Sequence, residues 1–282
     1  MADLILRGVG VPVAVAIIVW IAVLRPWRGR RTAVPRCTSG IASALACTSG
    51  FYALWGWPGT LPVESWAWLA HLMLPVSVLG AWPAARVTIR TPLVVLIGLC
   101  CAWLLVPGFV APHRAAWVIG VGVLMAATYG AITVVARRTS PAAVAALLML
   151  GLTGGSILLA RYAGNAKLGQ LLGALAGPVG VCMVAALWRP RAVSTATLAG
   201  PVAVAHVGLL ACGYFNNYSQ TPAVAFVLVT LAPMVPILGV AIGLTRPPGY
   251  RRAALSIGLC VALSVSGLIL AERAMTAAGP AY

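Results

Sequence analysis

Apolar residues fill this chain in long runs, and polar residues cluster in the short gaps between them. A run of about 20 apolar residues is long enough for a helix to cross a bilayer. Such windows fall at about residues 4–24, 38–56, 65–82, 91–109, 115–136, 142–160, 168–188, 194–214, 223–245 and 253–271. The pattern predicts an all-α fold: a polytopic integral membrane bundle of about ten transmembrane helices in one domain, residues 1–282. Three starts carry a local mechanism. Thr91-Pro92, Ser140-Pro141 and Thr221-Pro222 each offer a hydroxyl at the N-cap and a proline at the first helical position. There the hydroxyl satisfies a free N–H, and the proline needs none.

Charge orients the bundle. Arg25, Arg28, Arg30, Arg31, Arg36, Arg86, Arg90, Arg137, Arg138, Arg189, Arg191, Arg246, Arg251 and Arg252 fall in one set of alternating gaps. Only Arg7, Arg114, Arg161, Lys167 and Arg273 fall in the other. The positive-inside rule puts the richer set in the cytoplasm and both termini outside. The weakly basic start "MADLILRGVG" precedes a strongly basic "RPWRGRR". That order reads as a retained first helix, not a cleaved signal peptide. Trp55, Trp57, Trp66, Trp68 and Trp117 near outer helix ends, and Trp20, Trp27, Trp82 and Trp188 near inner ones, form two interfacial belts.

Composition agrees, with 62% hydrophobic residues, 8% charged and a net charge of +16. The surplus sits in loop clusters, so its expected partners are anionic lipid headgroups at the cytoplasmic face of the cell membrane, not nucleic acid. The seven cysteines show no C-x-x-C pair and read as small apolar residues. The three acids, Asp3, Glu64 and Glu272, all fall on the outer side. A membrane enzyme would need paired aspartates for a metal–diphosphate, an H-E-x-x-H motif or a nucleophile motif, and none occurs. Coupling through a buried carboxylate is excluded for the same reason. No metal site and no cofactor is expected.

What remains is polar or irregular sequence inside the helices. His71 and His206 lie at similar depth below the outer surface, at 1.5 Å per residue about 10 Å. They could meet around a metal, a haem or a proton, or each could bond to a neighbouring helix. Pro75 sits near the middle of the third helix, and Pro233 and Pro236 bracket the middle of the ninth. Each frees a carbonyl, and matched interruptions point to a transporter site. The stretches "IGLCCA" (97–102) and "IGLCVA" (257–262), with "LAHLMLP" (69–75) and "LAPMVP" (231–236), suggest a parallel repeat of helices 1–4 as 7–10. Gly151 and Gly155, and Gly173 and Gly177, have the G-x-x-x-G spacing of close helix packing, with Thr153 and Ser156 able to bond across.

Two outer loops stand out. "ARYAGNAKLGQ" carries Arg161, Tyr162, Asn165, Lys167 and Gln170, and reads either as an anion-attracting vestibule or as an interfacial loop reaching toward headgroups. "GYFNNYSQTP" carries Asn216, Asn217 and Gln220, the expected rim of any pathway beside His206 and Pro233. Its Asn217-Tyr218-Ser219 has the N-x-S form. The leading functional expectation is a small-solute transporter or permease with a polar cavity near the midplane. The alternative is a non-catalytic assembly, lipid-binding or scaffold subunit with a solid core and a lateral groove. Oligomeric state is open.

Overall fold

The computed structural model describes residues 6–24, 37–81, 87–235 and 249–277. They form ten helices and, among the described residues, no strand. The helices are α1 (Val11–Leu24, entered through a π-turn at Leu6–Gly10), α2 (Thr38–Trp55) and α3 (Leu69–Ala81, after a 3₁₀ turn at Ser65–Trp68). Next come α4 (Val87–Leu105), α5 (Arg114–Arg138), α6 (Pro141–Ile157, ending in a π-turn at Leu158–Tyr162) and α7 (Ala166–Trp188). The last are α8 (Ala199–Phe215, after a 3₁₀ turn at Thr195–Leu198), α9 (Ala223–Leu231, then a 3₁₀ turn at Ala232–Met234) and α10 (Gly249–Ala277). Six of these segments are long and apolar enough to cross a membrane: Leu6–Val23, Arg114–Arg138, Pro141–Tyr162, Ala166–Trp188, Thr195–Phe215 and Ala253–Ala277. The chain is therefore a helical membrane protein.

Every predicted window holds a helix, although two start signals act differently from expectation. At α6, Ser140 accepts from the Ala143 amide at 3.4 Å and Pro141 opens the helix, as predicted. At α4 the helix begins at Val87, so Pro92 lies inside it. Pro92 is the sixth residue of α4, past the first four amides that lack an intrahelical acceptor, so it leaves the Thr88 carbonyl without that donor. At α9 the Thr221 hydroxyl leaves the helix and donates to the Tyr162 carbonyl at 2.6 Å, tying this loop to the end of α6.

α8 is the axis of the bundle. It packs on α2 to α7 and on α9, with its closest neighbours α3 and α5. Small residues permit this. A Cβ on Gly200 would run into the Val76 carbonyl of α3, and one on Gly208 would meet Leu105 of α4 at 2.6 Å and Met125 of α5 at 3.1 Å. The segment before α8 is pinned to α2: Thr197 Oγ1 accepts from the Gly40 amide at 3.0 Å, and Ser39 Oγ from the Ser194 amide at 3.2 Å.

Around this axis stand antiparallel hairpins: α1 with α2, α4 with α5, α6 with α7, and α9 with α10. The candidate repeat is not visible in this packing. It would pair α3 with α4 as α9 pairs with α10, yet α4 packs on α5 and α3 on α2 and α8. Of the four motif glycines, Gly155 and Gly173 pack across the α6–α7 hairpin, and Gly151 and Gly177 face other segments. Gly155 faces Leu172 of α7 and His206 of α8, Gly151 faces Pro233, Gly173 faces Ser156, and Gly177 faces Val13 of α1. The closest glycine in the α6–α7 hairpin is Gly169, whose missing Cβ would lie 2.7 Å from the Ser156 carbonyl oxygen. Ser156 crosses the hairpin, donating to the Gly169 carbonyl at 2.7 Å, whereas Thr153 bonds back within α6 to Met149.

Candidate functional site

The residues expected to line a pathway have separate surroundings. His71 donates through Nε2 to the Gly59 carbonyl at 2.9 Å and lies edge-on to Trp57 and Trp68. It lies in the first turn of α3 and ties that turn to the loop that precedes it. His206 is fully buried, donates through Nε2 to the Val229 carbonyl of α9 at 3.1 Å, and packs its ring against Gly155. Among the described residues its Nδ1 has no hydrogen-bond partner. The two histidines thus bond to different segments, His71 to the loop before α3 and His206 to α9. Among the described residues no group of three His, Cys, Asp or Glu side chains could hold a metal ion.

The prolines diverge likewise. Pro75 is exposed on the outside of α3. Pro233 is buried against Gly151, where α9 changes to 3₁₀ winding. Pro236 lies outside the described residues. Equal depth in sequence says nothing about azimuth around a helix, and azimuth decides which of these face inward.

A cleft of about 670 Å³ lies instead at the end of the bundle that holds the C-termini of α2, α4, α6 and α8. All four connections at that end contribute: Val63–Trp66, Pro107–Phe109, Gly164–Lys167, and Asn216 with Tyr218. That these four loops gather at one end is what the alternating charge count requires. The size is in the range of small-ligand sites.

Its walls are tied down. Asn165 caps α7, accepting from the Leu168 amide at 3.5 Å. Gly164 has φ +68, a left-handed conformation that glycine adopts readily, and this lets the loop pass under Ser219. Asn216 closes α8 by donating to the Cys212 carbonyl at 2.8 Å. Below it, Cys212 donates to the Leu105 carbonyl at 3.0 Å. Asn217 exchanges two bonds with the Thr221 backbone, at 2.7 and 3.1 Å, and Gln220 takes φ +54 to complete the turn. Asn217 and Gln220 therefore shape the rim without lining the cleft, and Asn216 lines it.

Trp66 anchors the floor within an aromatic cluster, its ring 5.6 Å from Phe51 and 5.7 Å from Trp55. Lys167 Nζ stands 5.7 Å from the Trp66 ring centre, within cation–π range. Glu64 lines the same cleft. Among the described residues no ion pair joins Glu64 to Lys167; the ion pair at this end joins Arg161 to Glu272 at 3.5 Å. The cleft thus offers one carboxylate, one ammonium, two amides and an aromatic floor. Sequence reasoning places Glu64, Asn165, Lys167 and Asn216 on one side, but it passes over Ser65 and Phe109 and cannot say which loops adjoin.

No protein-family model matches the chain, and no curated protein matches it in sequence.

Proposed function

We propose that this chain is a ten-span protein of the cell membrane, with both termini outside, that binds a small zwitterionic solute or headgroup in its outer cleft. The observation that carries the reading is the pair Glu64 and Lys167: opposite charges lining one cleft, unpaired with each other. A ligand bearing both an anionic and a cationic group complements them together. Asn165 and Asn216 supply neutral donors and acceptors, and Trp66 supplies the aromatic surface on which the Lys167 ammonium rests. The packing of His206 and Pro233 favours binding over passage through the centre.

Transport of the bound solute is the second reading. It is favoured by the 3₁₀ winding of α9 at Ala232–Met234, an interruption of the kind that builds transport sites.

The test uses the purified protein in nanodiscs titrated with glycerophosphocholine, glycerol 3-phosphate and choline. The expected result is that glycerophosphocholine binds at least about tenfold more tightly than either half, and that Lys167→Ala and Glu64→Gln each remove most of that advantage. Equal binding of glycerol 3-phosphate would replace the reading with a plain anion site. Binding of none would end it. Uptake of labelled glycerophosphocholine into proteoliposomes decides between the two readings. Orientation is tested separately: a cysteine placed at Ser219 should react with an impermeant maleimide from outside, and one at Thr139 only after permeabilisation.

A further inference from the structure

Beside the cleft, on the neighbouring side of the same end of α8, lies an apolar groove of about 360 Å³ between α5, α8 and α9. α5 contributes Trp117 and Val121, α8 contributes Val207 and Ala211, and α9 contributes Val227 and Leu231. Its upper part is aromatic, with Trp117 edge-on to Phe215 at 5.1 Å and Tyr214 edge-on to Phe226 at 5.6 Å. The Thr230 hydroxyl is turned away, donating to the Phe226 carbonyl at 2.7 Å. The groove opens sideways, since Trp117 is 39% exposed, Val227 53% and Leu231 37%.

Resting on the cleft reading above, we infer that its ligand is a membrane lipid with a zwitterionic headgroup, one of whose hydrocarbon chains lies in this groove. Two observations point to a lipid chain. From Trp117 to Leu124 the groove descends about 10 Å at 1.5 Å per residue, most of the depth of one leaflet of a hydrocarbon core about 30 Å thick. Secondly, α8 ends at Phe215 and is followed by Asn216, and these adjacent residues line the groove and the cleft respectively. An amphiphile that spans that junction buries its chain in one and its headgroup in the other.

The experiment compares lysophosphatidylcholine, which has one chain, with glycerophosphocholine, which has none, by native mass spectrometry of the full chain in a non-ionic detergent. The chain should improve affinity at least about tenfold. Val227→Trp, which fills the groove from its exposed edge, should abolish that gain while leaving glycerophosphocholine binding unchanged. Ala211→Trp should do the same from the α8 side wherever it folds. If the two probes bind equally, or if Val227→Trp keeps the gain, the groove takes no chain and this inference is wrong. If lysophosphatidylcholine binds but Lys167→Ala and Glu64→Gln leave its affinity unaltered, the chain site stands without its headgroup and the inference is again overturned. Failure of both probes would instead remove the cleft reading beneath it.

Discussion

α8 and α10 are both apolar helices of membrane length, and they are built in opposite ways. In α8 and its leading turn, 83% of the membrane-length window is buried, against 17% in α10. Across those windows α10 is the more apolar of the two. A soluble protein would place the more apolar helix at the centre. Here the central helix carries Gly200, Gly208, Cys212, Gly213 and the buried His206, whereas the peripheral one exposes Leu255, Leu259, Val265 and Ile269. The reason is the solvent. Lipid tails are as apolar as leucine, so burial of a leucine between helices gains little, and association depends on close packing and interhelical hydrogen bonds. The inward seam of α10 follows the same rule: from residue 253 onward its buried positions are Cys260, Ser264, Gly267 and Ala271. Gly267 there admits Val229 of α9, and Ser264 lies against Gly154 of α6.

The largest expected effect comes from adding volume to the centre. Gly200→Leu would drive a side chain into the backbone of α3 at Val76, which has no rotamer to yield. Overpacking costs about 1–3 kcal/mol, and occasionally more where the obstacle is backbone as here, enough to remove much of the folded protein in detergent. The matched change on α10, Gly258→Leu, meets nothing within 4 Å and should leave the thermal midpoint unaltered. Fluorescence-detected size exclusion on the two variants would erase the contrast if they behaved alike.

Next in size is His206→Ala. It opens a cavity against Gly155 and strips the Val229 carbonyl of a donor, for about 2–4 kcal/mol. His71→Ala, which loses one half-buried bond to Gly59, should cost about 1 kcal/mol. A larger loss at His71 than at His206 in thermal unfolding would show that the loop, not the axis, holds the bundle together. Ser156→Ala should then cost about 0.6–1 kcal/mol through the bond it makes to Gly169, measured in the same way.

These contrasts also mark what the residues disclosed unaided. Helix positions were legible because a bilayer demands long apolar runs, and each window holds a helix. That Glu64, Asn165, Lys167 and Asn216 fall at one end of the bundle was legible from the alternation of the helices, and the four loops do converge. Direction around each helix was not legible. Pro75 and His206 are comparably apolar contexts in sequence, yet one points out of the bundle and the other into its axis. When every face is apolar, no amphipathic stripe marks the inside. Two of the three hydroxyl–proline signals failed for a different reason. Such a pair permits a helix start without enforcing one, and the Thr221 hydroxyl found a stronger use in the Tyr162 carbonyl.

The smallest expected effect is the most discriminating for α10. Leu259→Ala and Ile269→Ala remove methylenes from side chains that are 46% and 48% exposed. If lipid covers that face, a tail takes the place of the lost atoms and no cavity forms. The cost should then stay within about 0.5 kcal/mol, as for surface changes generally. If another polypeptide covers it, the truncation leaves an interface defect that lipid cannot fill, and the assembly should shift toward a smaller mass on light scattering. A loss above about 1 kcal/mol with unchanged mass fits neither case, and would mean that α10 packs more deeply into its own bundle than its exposed leucines indicate.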